Sequence, residues 1–336
     1  MREKVRCIDC KTLIKNVYIY AVLLTVVVIF SVLKLDEVAL FGKGHFLSSR
    51  SLINLVRMSV PIITLSSGFT LLMISGYIDL SVGSAMSLSA VIFALLVRSG
   101  CPFLVALMIT AAMGIFLGVI NGVLVMKLRI TPVIATLVTM NLFKGIALLI
   151  VPDGLSSIKS VGEAKMPDWI SHYARGDVLL GLPAAFFVAI ALVVVMIIIQ
   201  RRTIIGKYAA AIGGNRTAAE LSGIDVVKIV WILYMITGVL SAFAGVARAS
   251  YMSLGDPLSG DGMETDCIIA VLLGGTSFTG GEGSVAKTVI GAMIIMCLTT
   301  GLLTVIDAYY QGFAKGVVLV FAVTANHLLA RQKICA

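Results

Sequence analysis

The stretch Gly76-Tyr77-Ile78-Asp79-Leu80-Ser81-Val82-Gly83-Ser84 interrupts an otherwise apolar segment. Between residues 58 and 97, the only ionisable side chains are those of Tyr77 and Asp79. A carboxylate is costly at membrane depth and usually faces protein or a water-filled cavity. The glycines at both ends predict a break in a membrane helix, where the freed backbone groups need partners inside the protein. We expect Asp79 or Ser81 to cap the helix that resumes, by accepting backbone N–H bonds.

A second interruption, Gly274-Gly275-Thr276-Ser277-Phe278-Thr279-Gly280-Gly281-Glu282-Gly283-Ser284, lies towards the other end of the chain. Like the first, it follows an apolar run and closes with Gly-Ser before the next apolar segment. Paired broken segments in two halves of a membrane protein indicate an internal repeat with a solute path between the halves. The glycines predicted to break the helices are Gly76, Gly83, Gly275, Gly280, Gly281 and Gly283.

Composition identifies the fold class. Hydrophobic residues make up 59% of the 336 residues and charged residues 13%, and the mean hydropathy is +1.07. Soluble domains have about 45–50% apolar and about 25% charged residues. Since a membrane helix needs about 20 apolar residues, the chain is predicted to be an all-α polytopic membrane protein. Its apolar runs indicate about ten transmembrane segments, or about eight if the two broken regions are re-entrant.

The charge distribution predicts the topology. The net charge is +9, but the basic residues cluster in a few short loops, as the positive-inside rule expects for cytoplasmic ends. This pattern does not indicate a nucleic-acid partner. We expect a cytoplasmic segment at 1–16, a transmembrane domain at 17–330 and a cytoplasmic tail at 331–336. Residues 252–266 carry several acidic side chains and are expected to form an outer loop.

The main inside loop, residues 201–228, has the composition of a structured element. It begins with an alanine-rich piece, continues through Gly213-Gly214-Asn215 and resumes near Thr217. This pattern predicts two short helices joined by a turn. We expect at least one of the two glycines to adopt a backbone angle that other residues disfavour. Such a loop is predicted to be a docking surface for a cytoplasmic partner.

A few polar residues are candidates for lining a solute path through the membrane. They are Asp79, Ser81, Asn121 and Asn141. Each also has a structural interpretation, because a carboxylate or hydroxyl can cap a helix and an amide can bond across two helices. Both interpretations stay open at this point.

The sequence carries no recognisable catalytic or metal site. Residues 281–288 nearly match the phosphate-loop pattern Gly-x-x-x-x-Gly-Lys-Ser/Thr, but Ala286 replaces the second glycine. That motif also requires a preceding strand in a soluble α/β domain, so we do not expect this chain to bind ATP. The three histidines form no HExxH motif, which argues against an intramembrane metalloprotease. Cys7 and Cys10 form a CxxC pair without a second pair or a nearby histidine, so no metal site is predicted.

Taken together, both broken stretches and the 212–224 loop resemble the permease subunits of bacterial ribose-type sugar ABC importers. The order and spacing match from about residue 50 to 325, although Tyr77 adds bulk before Asp79 and the first fifty residues carry no signature. The resemblance implies a cytoplasmic ATPase subunit that binds ATP and magnesium, an extracytoplasmic sugar-binding protein, and a second permease copy or a related permease. It also implies an ATPase-coupling role for Gly206, Ala210, Gly213, Gly214, Asn215, Ala219, Leu221 and Gly223.

Two alternatives are also compatible with the sequence. A more distant branch of the superfamily carries branched-chain amino acids. A stand-alone facilitator or ion-coupled carrier would instead need charged residues forming a relay at membrane depth, and only Asp79 clearly qualifies. In either case we expect a multi-pass protein of a bacterial cell membrane, in contact with lipid and with both termini cytoplasmic.

Overall fold

The computed structural model describes residues 20, 23–28, 49–151, 156–157, 168–179, 181–305, 312–313, 316–317 and 320. Side-chain burial is described for most of these residues. The predicted terminal segments 1–16 and 331–336 lie outside the described residues, as do most of residues 17–33 and 313–329 at the two ends of the predicted transmembrane domain.

Helices account for most of the described chain. They are α1 Ser49–Ile74, α2 Val82–Arg98, α3 Phe103–Gly122, α4 Pro132–Ile150, α5 Asp168–Arg175, α6 Ala184–Arg202, α7 Ile204–Gly214, α8 Arg216–Leu221, α9 Val226–Met252, α10 Met263–Leu273 and α11 Val285–Val305. A five-residue π-helix, Val123–Lys127, continues α3. Two short strands, β1 Ser156–Ser157 and β2 Leu254–Gly255, pair antiparallel.

The helices form a bundle with α1 and α9 at its centre. The apolar stretch of α1 is 83% buried and that of α9 is 67% buried. The corresponding stretches of α3, α4 and α6 are only 28%, 28% and 22% buried, so these helices lie at the periphery. Among the described residues, these five helices are long and apolar enough to cross a membrane, and α2 and α11 contain shorter apolar stretches. The predicted all-α polytopic membrane fold is confirmed.

Close backbone approaches hold α3 against α9. Gly114 of α3 packs against the carbonyl of Gly238, and Gly118, one turn later, packs against the carbonyl of Tyr234. Small residues four apart let membrane helices approach closely. Buried hydroxyls in the central helices, such as Thr64 and Ser66, donate to carbonyls of their own helix and are therefore satisfied without a partner helix.

The segment after α9 folds back into the bundle. Gly255 packs against Ala94 near the end of α2, whereas Gly260 packs against Gly83 in the first turn of α2. The amide of Gly260 also donates to Ser87 Oγ at 2.8 Å. Residues 254–262 therefore run along α2 towards its beginning instead of forming the simple outer loop that we expected. Non-helical backbone at membrane depth is stable where protein surrounds it.

Candidate functional site

The first predicted break, residues 76–84, forms a turn only over residues 75–81, between α1 and α2. Gly83, predicted to break the helix, lies instead in the first turn of α2. Gly76 adopts a φ of 81°, which side-chain-bearing residues disfavour. Its amide donates to the carbonyl of Met73 at 2.9 Å, and the amide of Tyr77 donates to that of Leu72 at 3.2 Å. This pair of bonds is a Schellman motif, which satisfies carbonyls at the end of a helix.

The second break repeats this geometry at the end of α10. Gly275 has a φ of 79°, its amide donates to Leu272, and the amide of Thr276 donates to Val271 at 3.2 Å. Both breaks therefore share one backbone hydrogen-bond pattern. This shared pattern is what an internal repeat predicts.

The two breaks meet each other and the end of α7. The amide of Gly281 donates to the carbonyl oxygen of Ile74 at 2.8 Å. A Cβ atom added to Gly280 would lie 2.9 Å from the nitrogen of Gly76 and 3.0 Å from Cα of Gly213. We name Gly76, Gly213 and Gly280 the glycine junction. It connects both breaks to the predicted coupling loop through backbone contacts.

The role of the Gly-Gly pair differs from the prediction. The helix α7 continues through both glycines to Gly214, and neither has a positive φ. Gly213 is required for close approach instead, because a Cβ atom there would overlap the carbonyl oxygen of Ile74. Around Gly214 no heavy atom lies within 4 Å of a Cβ position. The turn is supplied by Asn215, whose side chain accepts the amide of Ala218 at the start of α8.

A buried polar cluster occupies the end of the first break. Asp79, Ser81 and Asn121 come together there, each no more than 3% exposed. Asp79 Oδ1 accepts the amide of Ser81 at 2.9 Å and its hydroxyl at 2.6 Å. Asn121 Nδ2 lies 3.2 Å from both carboxylate oxygens. Thr139, which the sequence reasoning missed, donates to Asn121 Oδ1 at 2.7 Å.

The capping prediction holds in part. The Asp79 carboxylate accepts the backbone amide of Ser81, whereas the Ser81 side chain makes no capping bond at the start of α2. Ser81 Oγ instead accepts from Asn121 Nδ2 at 2.8 Å. A role of this cluster in solute movement stays a prediction.

Asn141, the fourth path candidate, lies apart from this cluster. It is on the exposed face of α4, where its amide donates to the carbonyl of Leu137 in the same helix. One turn further along α4, Lys144 Nζ lies 2.6 Å from Asp261 Oδ2. The sequence did not reveal this ion pair, because Asp261 belongs to the segment expected to be an outer loop.

The second break is also held by a side chain from α6. Gln200 Nε2 donates to the carbonyl of Gly283 at 2.9 Å, and Gln200 Oε1 accepts the amide of Val285 at 3.0 Å. The side chain therefore caps the beginning of α11. Gly283 itself packs against Ile74 and Thr276.

The predicted coupling residues divide into a packed set and an exposed set. Gly206 packs against carbonyls at the end of α6, and Ala219 is 4% exposed, while Ala210 is half-buried. Leu221 is 85% exposed, and Gly223 closes the turn after α8 with open space around it. Their coupling role stays a prediction.

Tyr77, at which the chain departs from the family pattern, has a partner in the coupling loop. Arg216 Nη1 donates to its hydroxyl at 3.1 Å, and Arg216 Nε also bonds Glu220 at 2.9 Å. The bond to Glu220 is the main reason why the pKa of Arg216 is raised above its usual value. The first break thus contacts the coupling loop through a side chain as well as through the glycine junction.

The near match to a phosphate loop has a different structural setting. Residues 281–288 follow the helix α10 and lead into α11, whereas a phosphate loop would follow a strand. Among the described residues, no group of three or more His, Cys, Asp or Glu side chains is placed to hold a metal ion.

Comparison with known proteins identifies the family. Residues 51–323 match the family model described as "Branched-chain amino acid transport system / permease component". The chain belongs to this permease family. As a member of it, the permease is a membrane transport subunit and not an enzyme.

Curated relatives align with most of the permease. The ribose import permease protein RbsC of Haemophilus influenzae is 37% identical over 86% of this chain and 88% of its own. RbsC of Bacillus subtilis is 35% identical over 86% and 87%. The D-allose transport system permease protein AlsC of Escherichia coli is 33% identical over 88% and 89%. No solved structure matches the permease.

Proposed function

We propose that this permease forms the transmembrane path of an ABC importer that takes up a monosaccharide or a similar small polar solute. The names of the relatives support a sugar, since they specify ribose, allose and fructose. They do not favour the branched-chain amino-acid alternative, although the family description carries that name. The structural observation that carries the proposal is the glycine junction, which connects the α7–α8 loop to both broken regions.

The energy for transport comes from a separate ATPase subunit in this proposal. That subunit binds ATP and magnesium and docks on the exposed face of α7 and α8, where Leu221 is the most exposed large apolar side chain. A movement of α7 displaces Gly213, which contacts Ile74 and Gly281 directly. Closure of the ATPase domains thereby changes which side of the membrane the path faces.

The other partners are placed by the orientation of the permease in the membrane. The 201–228 loop and both termini are cytoplasmic, and a sugar-binding protein delivers the solute at the opposite end of the bundle. A second copy of the permease, or a related one, faces the first across the path. The orientation is supported by the distribution of basic residues along the chain, which agrees with the positive-inside rule, and the choice of partners is supported by the permease family.

Uptake assays test the proposal. Cells that produce the permease, its ATPase and its binding protein are given a panel of labelled pentoses and hexoses, with labelled leucine as the amino-acid control. We expect uptake of one or more sugars that disappears when the ATPase is deleted. Uptake that persists without any ATPase subunit would overturn the importer in favour of a facilitator. Uptake of leucine alone would overturn the sugar assignment.

A further inference from the structure

An ion pair lies exposed on the outer surface of the bundle, beside α4. The side chains of Lys144 and Asp261 are 34% and 48% exposed, and their charged atoms are 2.6 Å apart. Asn141 is exposed on the same side of α4, since residues three apart lie about one helical turn from each other. We define Asn141, Lys144 and Asp261 as the α4 patch.

The patch lies away from both ends of α4, since Lys144 is 12 residues after Pro132 and 6 residues before Ile150. Thr139, just before it on α4, contacts the cluster at the start of α2. Asp261 follows Gly260, which packs against Gly83 in the first turn of α2. The patch therefore lies at the level of the first turn of α2, close to the start of α10. Two helix N-termini at this level add positive potential from their backbone dipoles.

The surroundings of the patch on α4 are apolar. Leu137, Val138 and Leu142 are 39%, 59% and 50% exposed, as expected of a helix in contact with lipid or with another membrane helix. Charged side chains at such a depth face the interior of a bundle or a water-filled cavity, since contact with lipid costs several kcal/mol. The α4 patch thus requires water or protein in front of it.

We propose that the α4 patch lines the solute path and binds the hydroxyl groups of the transported sugar. An ammonium group donates hydrogen bonds, a carboxylate accepts them, and an amide does both, so the patch matches the alternating donors and acceptors of a polyol. This proposal rests on the proposed function, in which a second permease copy closes the path on its other side.

Cysteine accessibility tests the water-filled path independently of transport. Asn141→Cys is compared with Val194→Cys on α6 and Phe116→Cys on α3, which replace side chains that are 47% and 56% exposed. Membranes containing the permease are treated with a charged, water-soluble maleimide, and labelling is measured above that of the parent chain. The thiolate is the reacting species and apolar surroundings suppress it. We expect Asn141→Cys to react at least about tenfold faster than both controls, as a thiol does when its pKa is lower by about one.

Labelling of Asn141→Cys at the control rate overturns the proposal. This includes slow labelling in a permease whose two copies cross-link through this cysteine, since the patch then lies in a dry interface. Fast labelling that a transported sugar slows supports the proposal in full. Fast labelling that sugars leave unchanged refutes the sugar contact. These outcomes are separate from the uptake assays, because a facilitator also has a water-filled path and would label at Asn141→Cys without any ATPase.

Paired replacements test whether the side chains bind solute. The variant Lys144→Gln/Asp261→Asn removes both charges but keeps hydrogen-bonding groups, whereas Lys144→Met/Asp261→Leu removes both functions. We expect the apparent KM for uptake to rise by about tenfold more in the apolar variant, as for the loss of one or two neutral hydrogen bonds to the solute. If the pair only faced lipid, the apolar variant would retain as much uptake as the polar one or more. That order would refute solute binding.

Discussion

The amide nitrogen of Gly281 lies 2.8 Å from the carbonyl oxygen of Ile74, although 207 positions separate them in the chain. Ile74 ends α1, and Gly281 belongs to the break before α11. This bond joins the two halves of the permease at the point where α7 also contacts them. Changes in this region are therefore expected to affect both halves together.

The first prediction compares the two glycines at the end of α7. Gly213→Ala places a methyl group against the Ile74 carbonyl and 2.5 Å from the nitrogen of Gly281, while Gly214→Ala places one in open space. Backbone atoms cannot rotate away, so we expect Gly213→Ala to destabilise the permease by about 1–3 kcal/mol. Gly214→Ala is the matched control and should keep wild-type stability. Thermal unfolding in detergent and uptake at equal permease abundance measure both effects, and equal loss in the two variants would contradict the close-contact argument.

The second prediction concerns Asp79 and Asn121. Asp79→Leu removes the acceptor of the Ser81 amide and hydroxyl and one of the two acceptor groups of Asn121 Nδ2, at a cost of roughly 3 kcal/mol or more. Asp79→Asn is milder because its oxygen still accepts from Ser81, although its amide now faces the amide of Asn121. The reciprocal swap Asp79→Asn/Asn121→Asp restores a donor–acceptor pair, and we expect it to be more stable than Asp79→Asn alone. Abundance and thermal stability in membranes give the order, and a swap less stable than Asp79→Asn would show that the cluster requires the charge at position 79.

The third prediction concerns the cap that Gln200 forms on α11. Gln200→Leu removes the bonds to Gly283 and Val285 and should destabilise this region by about 1–2 kcal/mol. Gln200→Glu keeps the acceptor for the Val285 amide but turns a carboxylate oxygen towards the Gly283 carbonyl, so we expect protection of the Val285 amide to be kept while the contact with Gly283 is lost. Hydrogen exchange of the backbone amides at the beginning of α11 directly measures how often this first turn opens. Unchanged protection in Gln200→Leu would mean that the cap contributes nothing.

The fourth prediction concerns ATPase docking. Leu221→Glu adds a charge to a side chain that is 85% exposed, so the fold of the permease should be unaffected. Removing an apolar side chain from the centre of an interface costs about 1–2 kcal/mol or more, and we expect the ATPase to co-purify at least about tenfold less. Val178→Glu, at a 62% exposed position between α5 and α6, is the control and should retain the ATPase. Full retention by Leu221→Glu would place the docking surface elsewhere.

The two glycine-broken turns could be predicted from the sequence because each is a local event. Apolar runs fix where helices begin and end within a few residues, and a glycine with a positive φ, such as Gly76, ends a helix whatever lies around it. The helices flanking both breaks and the two short helices of the 201–228 loop were predicted for this reason.

Contacts between distant segments were beyond sequence reasoning. The sequence of the Gly-Gly pair in α7 does not indicate whether a glycine allows a turn or a close approach of two backbones. Gly213 allows a close approach. The pairing of Lys144 with Asp261 depends on residues 254–262 folding back along α2, and no hydrophobic periodicity encodes that path. Thr139 was missed because a lone threonine in an apolar helix usually bonds its own backbone.

The glycine junction consists of backbone atoms only. This determines which parts of the permease can change in sequence without disturbing the linkage. A contact made by side chains has rotamers that absorb small shifts, whereas packed backbone transmits a displacement without slack. Residues along the solute path can be exchanged to suit another sugar while the junction keeps its geometry. The same linkage can therefore drive transport of chemically different solutes, with selectivity and force transmission encoded in separate parts of one chain.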